Sequence, residues 1–338
     1  MPERGREIDD FLSGAGWTGA ARSTLAEDAS FRRYERVVNG GRRAVLMDAP
    51  PDKENVRPFA RVARHLIGLG LSAPRILAED VKRGFLLLED FGDATYTRLL
   101  AGGADEEDLY TLAVDTLIAL HHHPETAAVP TGLPAYDTDS LTDEACLLAD
   151  WYMPAVLGAD TPAAARDEFV GIWRSLLPRL ADGPRTIVLR DYHVDNLILL
   201  DGRDGIAACG QLDFQDAVAG HPAYDLMSLL EDARRDIGDD LIAAMRGRYA
   251  AAFPGLDADA FDAAYALLGA TRHAKVIGIF TRLCLRDGKP DYLEHIPRVW
   301  RLLQRSVQHP LLAPLDAWLA THIPTEKREI PPCPAAQS

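Results

Sequence analysis

The hydrophobic positions of this chain change their spacing near residue 90. Between residues 31 and 48, in "FRRYERVVNGGRRAVLMD", two β-rich runs flank "NGG", whose residues tolerate positive φ, and this predicts a β-hairpin. In "RPFARVARHLIGLGL" the positions Phe59, Val62, Ala63, Leu66 and Ile67 recur at helical intervals, with Gly68 or Gly70 as the stop. "GFLLLEDFGD" then reads as a short buried strand that runs into acidic residues and Gly92. The first 90 residues are expected to form a small sheet with one helix.

Helical periodicity dominates afterwards. In "DLYTLAVDTLIALHHH" the residues Leu109, Leu112, Ala113, Thr116, Leu117 and Leu120 share one face. Further helices are predicted over 140–157, 163–181, 222–235, 239–252, 258–285 and 296–306. A strand-rich interruption comprises "TIVL", "LILL" and "GIAACGQLDF". The tail "TEKREIPPCPAAQS" is proline-rich, lacks periodicity and is expected to be disordered. The expected architecture is α+β: a β-rich lobe over 1–90, a larger, mainly helical lobe over 91–325, a disordered tail over 326–338, and a cleft between the lobes.

Composition narrows the picture. The 338 residues, 47% of them apolar, suit one large globular domain or two lobes. No apolar run approaches the roughly 18–20 residues of a membrane span, and "MPERGREIDDFLSG" lacks the apolar core of a secretory signal. A cytoplasmic protein, monomeric by default, is expected. The formal net charge of −15 disfavours nucleic acid and anionic membranes as partners. Cys146, Cys209, Cys284 and Cys333 lie far apart without a CxxC pair, so reduced thiols are expected. The run His121–His123 offers no metal site, because consecutive helical side chains point about 100° apart.

The chemistry concentrates in "VLRDYHVDNLILLDGRDGIAACGQLDFQDA", residues 188–217. The turn "DGRDG" sets "NLILL" antiparallel to "IAACGQL", which places Asn196 opposite about residue 210 and close to Asp213. Asp191 lies in the loop that enters the first of these strands. Carboxylates gathered this closely repel and raise one another's pKa unless a cation intervenes. Mg²⁺, a hard cation that takes one or two carboxylates plus phosphate oxygens, is the natural partner.

"DYHVDN", followed by "LDF" with Asp213 seventeen residues after Asn196, resembles the catalytic loop and metal-binding motif of the kinase-like superfamily. The nearest branch is that of the aminoglycoside phosphotransferases and choline kinases. The resemblance implies a two-lobed protein-kinase-like fold using ATP and Mg²⁺. Asp191 would orient or accept the substrate hydroxyl proton, and Asn196 and Asp213 would hold the metal. It further implies that Glu89, Asp90 and Phe91 form the connector that meets adenine, and that the turn around Ser30 covers the phosphates. Asp225 in "GHPAYDL" is implied to brace the catalytic loop.

One departure stands out: where the family carries a phosphate-binding lysine, this chain has Met47. Arg33 is expected directly across from Met47 if the hairpin loop has three residues, and Arg32 if it has two. One of these arginines is expected to contact the phosphates.

The set "DASFRRY", "MDAPP", "DWYMP" and "IGIFTRLCLRDGKPDYL" is similar to the anomeric amino-sugar kinases of bacterial cell-wall recycling. That similarity implies phosphorylation of the C1 hydroxyl of N-acetylmuramate and N-acetylglucosamine. Asp150 and Tyr152, beside Trp151 as an apolar platform, are the candidate sugar contacts, and Arg190 is a candidate for neutralising substrate or phosphate charge. A lactyl carboxylate would favour a nearby cation, and the sequence does not choose among Arg272, Lys275, Arg282, Arg286 and Lys289. Two other readings stay open: a kinase for aminoglycosides or other small alcohols, and a nucleotide-binding regulator without turnover.

Overall fold

The computed structural model describes residues 2–27, 31–181 and 183–333. Helix α1 (Pro2–Gly14) precedes strands β1 (Ala21–Glu27), β2 (Arg33–Asn39) and β3 (Arg42–Asp48); helix α2 (Val56–Gly68) leads to β4 (Ile76–Asp80), β5 (Phe85–Glu89) and helices α3 (Tyr96–Ala101) and α4 (Glu106–His121). Helices α5 (Glu125–Ala128), α6 (Thr138–Ala145), α7 (Met153–Leu157) and α8 (Ala163–Leu176) lead to four short strands. These are β6 (Thr186–Val188), β7 (Leu197–Leu199), β8 (Cys209–Gln211) and β9 (Val218–Gly220). Then follow α9 (Ala223–Leu230), α10 (Asp239–Ala252), α11 (Ala258–Asp287), α12 (Ile296–Ser306) and α13 (Ala313–His322).

This α+β chain divides into two compact units, one of Met1–His123 with Val194–Ala217, the other of Pro124–His193 with Val218–Ser338. The division differs from the expected one at residue 90. Helices α3 and α4 and the β7–β8 hairpin go with the sheet, because Thr95 bridges Ile198 and Ser72 bridges Gly210.

In the first unit the sheet is antiparallel, in the order β1-β2-β3-β5-β4. Alternation separates its faces. Val37, Ala44, Leu46, Phe85 and Leu87 close a core with Ile8, Phe11 and Leu12 of α1. Val45 and Leu88 turn to the opposite face, where Phe59 of α2 joins them. Helix α1 was not expected from the sequence, nor were β1 and β4.

The β2–β3 hairpin turns on Gly40 and Gly41, at φ 57° and 84°, with Asn39 already paired to Arg42. This two-glycine loop corrects the expected register. Tyr34, not Arg32 or Arg33, lies opposite Met47, and Arg33 lies opposite Asp48.

The second unit is built around α11, flanked by α6, α9, α12 and a single π-helical turn over Leu148–Tyr152. Close approach requires glycine at Gly278, where a Cβ would sit 2.2 Å from the carbonyl carbon of Leu147. Two expectations are corrected here. The chain is ordered through Cys333, with a 3₁₀ turn at Thr325–Lys327, and the rest of the expected disordered tail, 334–338, lies outside the described residues. Cys284 and Cys333 form a disulfide, while Cys146 and Cys209 are buried thiols outside it.

Candidate active site

The first unit contains a cavity of about 300 Å³. Its walls are mostly apolar, with Tyr34, Val45, Phe59 and Leu88 from the sheet and α2, and Ile198 and Leu212 from the β7–β8 hairpin. The expected connector, Glu89 to Phe91, runs along it, and so do Asn196 and Asp213. An apolar slot with a few placed polar groups is the usual form of a small-molecule site.

The connector's acidic side chains are fastened to the protein. Glu89 accepts from Arg75 Nε at 3.1 Å and from Arg203 Nη2 at 2.6 Å. Asp90 accepts from Arg36 Nε at 2.8 Å and from Arg43 Nε at 3.0 Å. Arg36 also holds Asp93, whose carboxyl is lowered chiefly by that hydrogen bond. The side chains of Glu89 and Asp90 thereby fix the path of the connector backbone, the part of it expected to meet adenine. The Phe91 ring lies under the Arg203 guanidinium at 5.2 Å, and a Cβ on Gly210 would come within 2.9 Å of it.

Residue Asn196 faces residue 212 rather than 210. Leu197 pairs with Gln211, and Leu212 N–H donates to Asn196 O at 2.9 Å. The two-residue shift arises because the β7–β8 connection includes a 3₁₀ turn at Gly205–Ala208. Asp213 next to it has φ 56°, a conformation non-glycine residues adopt at a cost. Gln215 Nε2 donates to Asp213 Oδ1 at 2.8 Å and so orients the carboxylate. An amide oxygen and a carboxylate on one cavity wall fit a hard divalent cation whose remaining ligands come from phosphate and water. Among the described residues no group of three or more His, Cys, Asp and Glu could hold a metal without such help.

Asp191 belongs to the second unit, in the loop after β6. The loop is shaped from behind. Asp225 of α9 accepts the N–H groups of Leu189 at 2.6 Å and Arg190 at 2.9 Å, and Arg190 takes φ 71°. The carbonyl of Arg190 accepts from Ser228 Oγ and Arg272 Nη1, both at 3.2 Å. Burial pushes the Asp225 carboxyl up to about 7 despite those two N–H donors. Burial would likewise raise Asp191, but Arg272, Lys275, His193 and Arg190 outweigh it and hold the carboxyl down at about 2. Asp191 is therefore an ionised carboxylate with 41% of its side chain exposed, fit to orient a hydroxyl rather than to act as a strong base. His193 is itself lowered, first by burial.

Arg190 reaches Glu144 of α6, lies over the ring of Tyr136 at 5.5 Å, and is raised by Glu144 against its burial. Glu144 also accepts from the hydroxyl of Tyr136 and pairs with Lys275 at 3.0 Å. Nothing local singles out Glu144: "DSLTDEACLLAD" reads as an ordinary amphipathic acidic helix.

The "DWYMP" assignment is corrected at Tyr152. Tyr152 is fully buried, and its hydroxyl donates toward the carbonyls of Lys327 and Glu329. Asp150 is committed to Arg166 at 2.6 and 3.0 Å. Both serve the fit of the C-terminal segment and α8. Arg32 has Glu54 at 4.0 Å. Ser30 lies outside the described residues.

Comparison with known proteins accords with this geometry. The pattern of the phosphotransferase enzyme family matches residues 22–261. A protein named N-acetylmuramate/N-acetylglucosamine kinase from Caulobacter vibrioides is 39% identical over 94% of this chain and 96% of its own. One of the same name from Pseudomonas aeruginosa is 41% identical over 93% of both. A choline/ethanolamine kinase family protein from Mesorhizobium loti shares the fold, with TM-score 0.61 and 15% identity over 94% of this chain and 99% of that one.

Proposed function

The chain belongs to the phosphotransferase enzyme family, and we propose that it is an ATP-dependent amino-sugar kinase that phosphorylates the C1 hydroxyl of N-acetylmuramate and N-acetylglucosamine in peptidoglycan recycling. The observation that carries this reading is the 39–41% identity to kinases so named over nearly the whole of each chain. Dependence on ATP fits a cytoplasmic setting, and no described helix is long and apolar enough to cross a membrane.

The nucleotide base would occupy the apolar cavity of the first unit against the connector backbone, which its side-chain anchors hold in place. Asn196 and Asp213 would hold magnesium, which when bound neutralises phosphate charge. Asp191, ionised across the working pH range, would align the acceptor hydroxyl, since positioning and charge stabilisation supply most of the rate in phosphoryl transfer. Arg32 is our choice for the cation that replaces the missing lysine. Alternation continued one residue ahead of β2 would put it on the face of Tyr34 and Met47, whereas Arg33 points with Asp48 to the other. Arg190 remains the candidate for substrate charge, and the cationic surroundings of Asp191 disfavour a polycationic aminoglycoside as acceptor.

Incubation with ATP, Mg²⁺ and a panel of sugars and aminoglycosides, followed by phosphorus NMR, tests the reading. A C1 phosphate on either amino sugar is expected, with kcat reduced at least about 1,000-fold in Asp191→Asn. Transfer to an antibiotic alone, or to nothing, rejects it.

A further inference from the structure

Helix α11 carries Arg272 and Lys275 one turn apart on one face, and both side chains are nearly inaccessible, at 6% and 9% exposure. They stand with Arg190 around two carboxylates. Arg272 lies 3.4 Å from Asp191 Oδ1 and donates to the carbonyl of Arg190. Arg190 goes to Glu144. Lys275 Nζ lies 3.0 Å from the same Glu144, which also accepts the Tyr136 hydroxyl. The next carboxylate, Asp225, is occupied by the N–H groups of Leu189 and Arg190. Among the described residues, two of these three cations, Arg190 and Lys275, thus share one carboxylate, Glu144, in a chain whose net charge is −15.

An unbalanced buried cation is costly unless an anion meets it when the site is in use. Lys275 is the one with donors left to place. Its only carboxylate partner among the described residues is already served by a guanidinium and a phenol, and an ammonium has three donors to place. Lys275 is tied to the Asp191 loop through Glu144, which also takes Arg190, the residue before Asp191. Toward the end of α11, Arg286 is exposed and paired with Asp287, while Arg282 and, just beyond the helix, Lys289 are half-buried.

We infer that Lys275, seated against Glu144, is the residue that reads a carboxylate on the acceptor sugar, and so sets preference for an acidic amino sugar over its neutral counterpart. The inference rests on the proposed kinase activity. Of the two sugars, only N-acetylmuramate carries a carboxylate, on an ether at C3 of the ring that presents the C1 hydroxyl. The alternative anion for this cation is the transferred phosphate, which both sugars would use alike. A site built to pair a charge rejects the analogue that lacks it far more strongly than an apolar site rejects a missing methylene.

The test is steady-state kinetics on N-acetylmuramate, its methyl ester and N-acetylglucosamine with wild type, Lys275→Met and Lys275→Arg, each checked by thermal melting. Lys275→Met is expected to lower kcat/KM for N-acetylmuramate at least about tenfold more than for N-acetylglucosamine, mostly through KM, and to erase the preference for acid over ester. Lys275→Arg is expected to restore most of that preference. Equal losses on both sugars, or an unchanged acid-to-ester ratio in a folded Lys275→Met, overturn the inference and leave the kinase reading standing. Wild type inactive on both sugars overturns the kinase reading, and this inference with it.

Discussion

The carboxylate of Asp225 accepts the backbone N–H of Arg190 at 2.9 Å, while Arg190 sits at φ 71°, one residue before Asp191. The second oxygen of Asp225 takes the N–H of Leu189 at 2.6 Å. One buried side chain thereby specifies the backbone that presents Asp191. Asp225→Ala leaves two buried donors unpaired, at about 1–3 kcal/mol each, so urea unfolding should show a loss of about 2–5 kcal/mol. Asp225→Asn keeps one acceptor and should lose less stability, yet still drop kcat about 10–100-fold, as expected when a supporting hydrogen bond is removed from a site. Unchanged kcat in Asp225→Asn would show that the loop holds its shape without this brace.

Asp191 predicts a pH dependence of stability. Its folded carboxyl, at about 2, lies below the ordinary aspartate value of about 3.9. A depressed acid adds stability above its unfolded pKa and loses it as pH falls through the folded one. The stability difference between wild type and Asp191→Asn should therefore be constant above pH ~5 and should change between pH ~4 and ~2, with wild type losing ground as Asp191 protonates. Acid unfolding followed by circular dichroism measures this. The kcat profile should show no break from Asp191 between pH ~5 and ~9, and an inflection there that vanishes on loss of the carboxyl would contradict the ionised state.

How far the letters carried depends on whether the physics was local. The hairpin around "NGG", the helix over 56–68 and the long helix from 258 were legible because turn chemistry and periodicity act within a few residues. Helix α1 carries a weaker local signal: Ile8, Phe11 and Leu12 repeat at helical spacing inside a polar segment, and they become a core only when the sheet face covers them. The motif residues Asn196 and Asp213 meet on one cavity wall, but their register was two residues off, because a 3₁₀ turn is invisible to a reflection argument. Tyr152 shows the opposite failure. Its phenol suited a sugar by type, yet its partners are carbonyls 175 and 177 residues away, a separation no local pattern encodes.

The register around Met47 separates two arginines that sequence could not. Continued one residue ahead of β2, alternation would set Arg32 with Tyr34 and Met47, and it has Glu54 at 4.0 Å, while Arg33 points with Asp48 to the opposite face. Arg32→Ala should raise the KM for ATP about tenfold or lower kcat comparably, and Arg33→Ala should stay within about twofold of wild type. Glu54→Gln should weaken ATP binding less than Arg32→Ala, because it loosens the guanidinium without removing it. Comparable losses at both arginines would show that the face argument does not govern nucleotide contact.

The disulfide between Cys284 and Cys333 joins the end of α11 to the C-terminal segment across 49 residues. The same segment is held by the Tyr152 hydroxyl at the carbonyls of Lys327 and Glu329, and by Arg328, whose guanidinium lies 5.1 Å from the Trp300 ring centre. Closing a loop of this size restricts the unfolded chain by an amount worth up to about 4 kcal/mol in the chain-entropy account. Cys333→Ser should therefore unfold at lower denaturant than the oxidised wild type, by about 2–4 kcal/mol. A reductant should bring wild type down to the variant and leave the variant unchanged. Tyr152→Phe should cost a further ~1 kcal/mol, the net worth of a buried hydroxyl hydrogen bond. If the two proteins unfold together under oxidising conditions, the segment is held by Tyr152 and Arg328 alone.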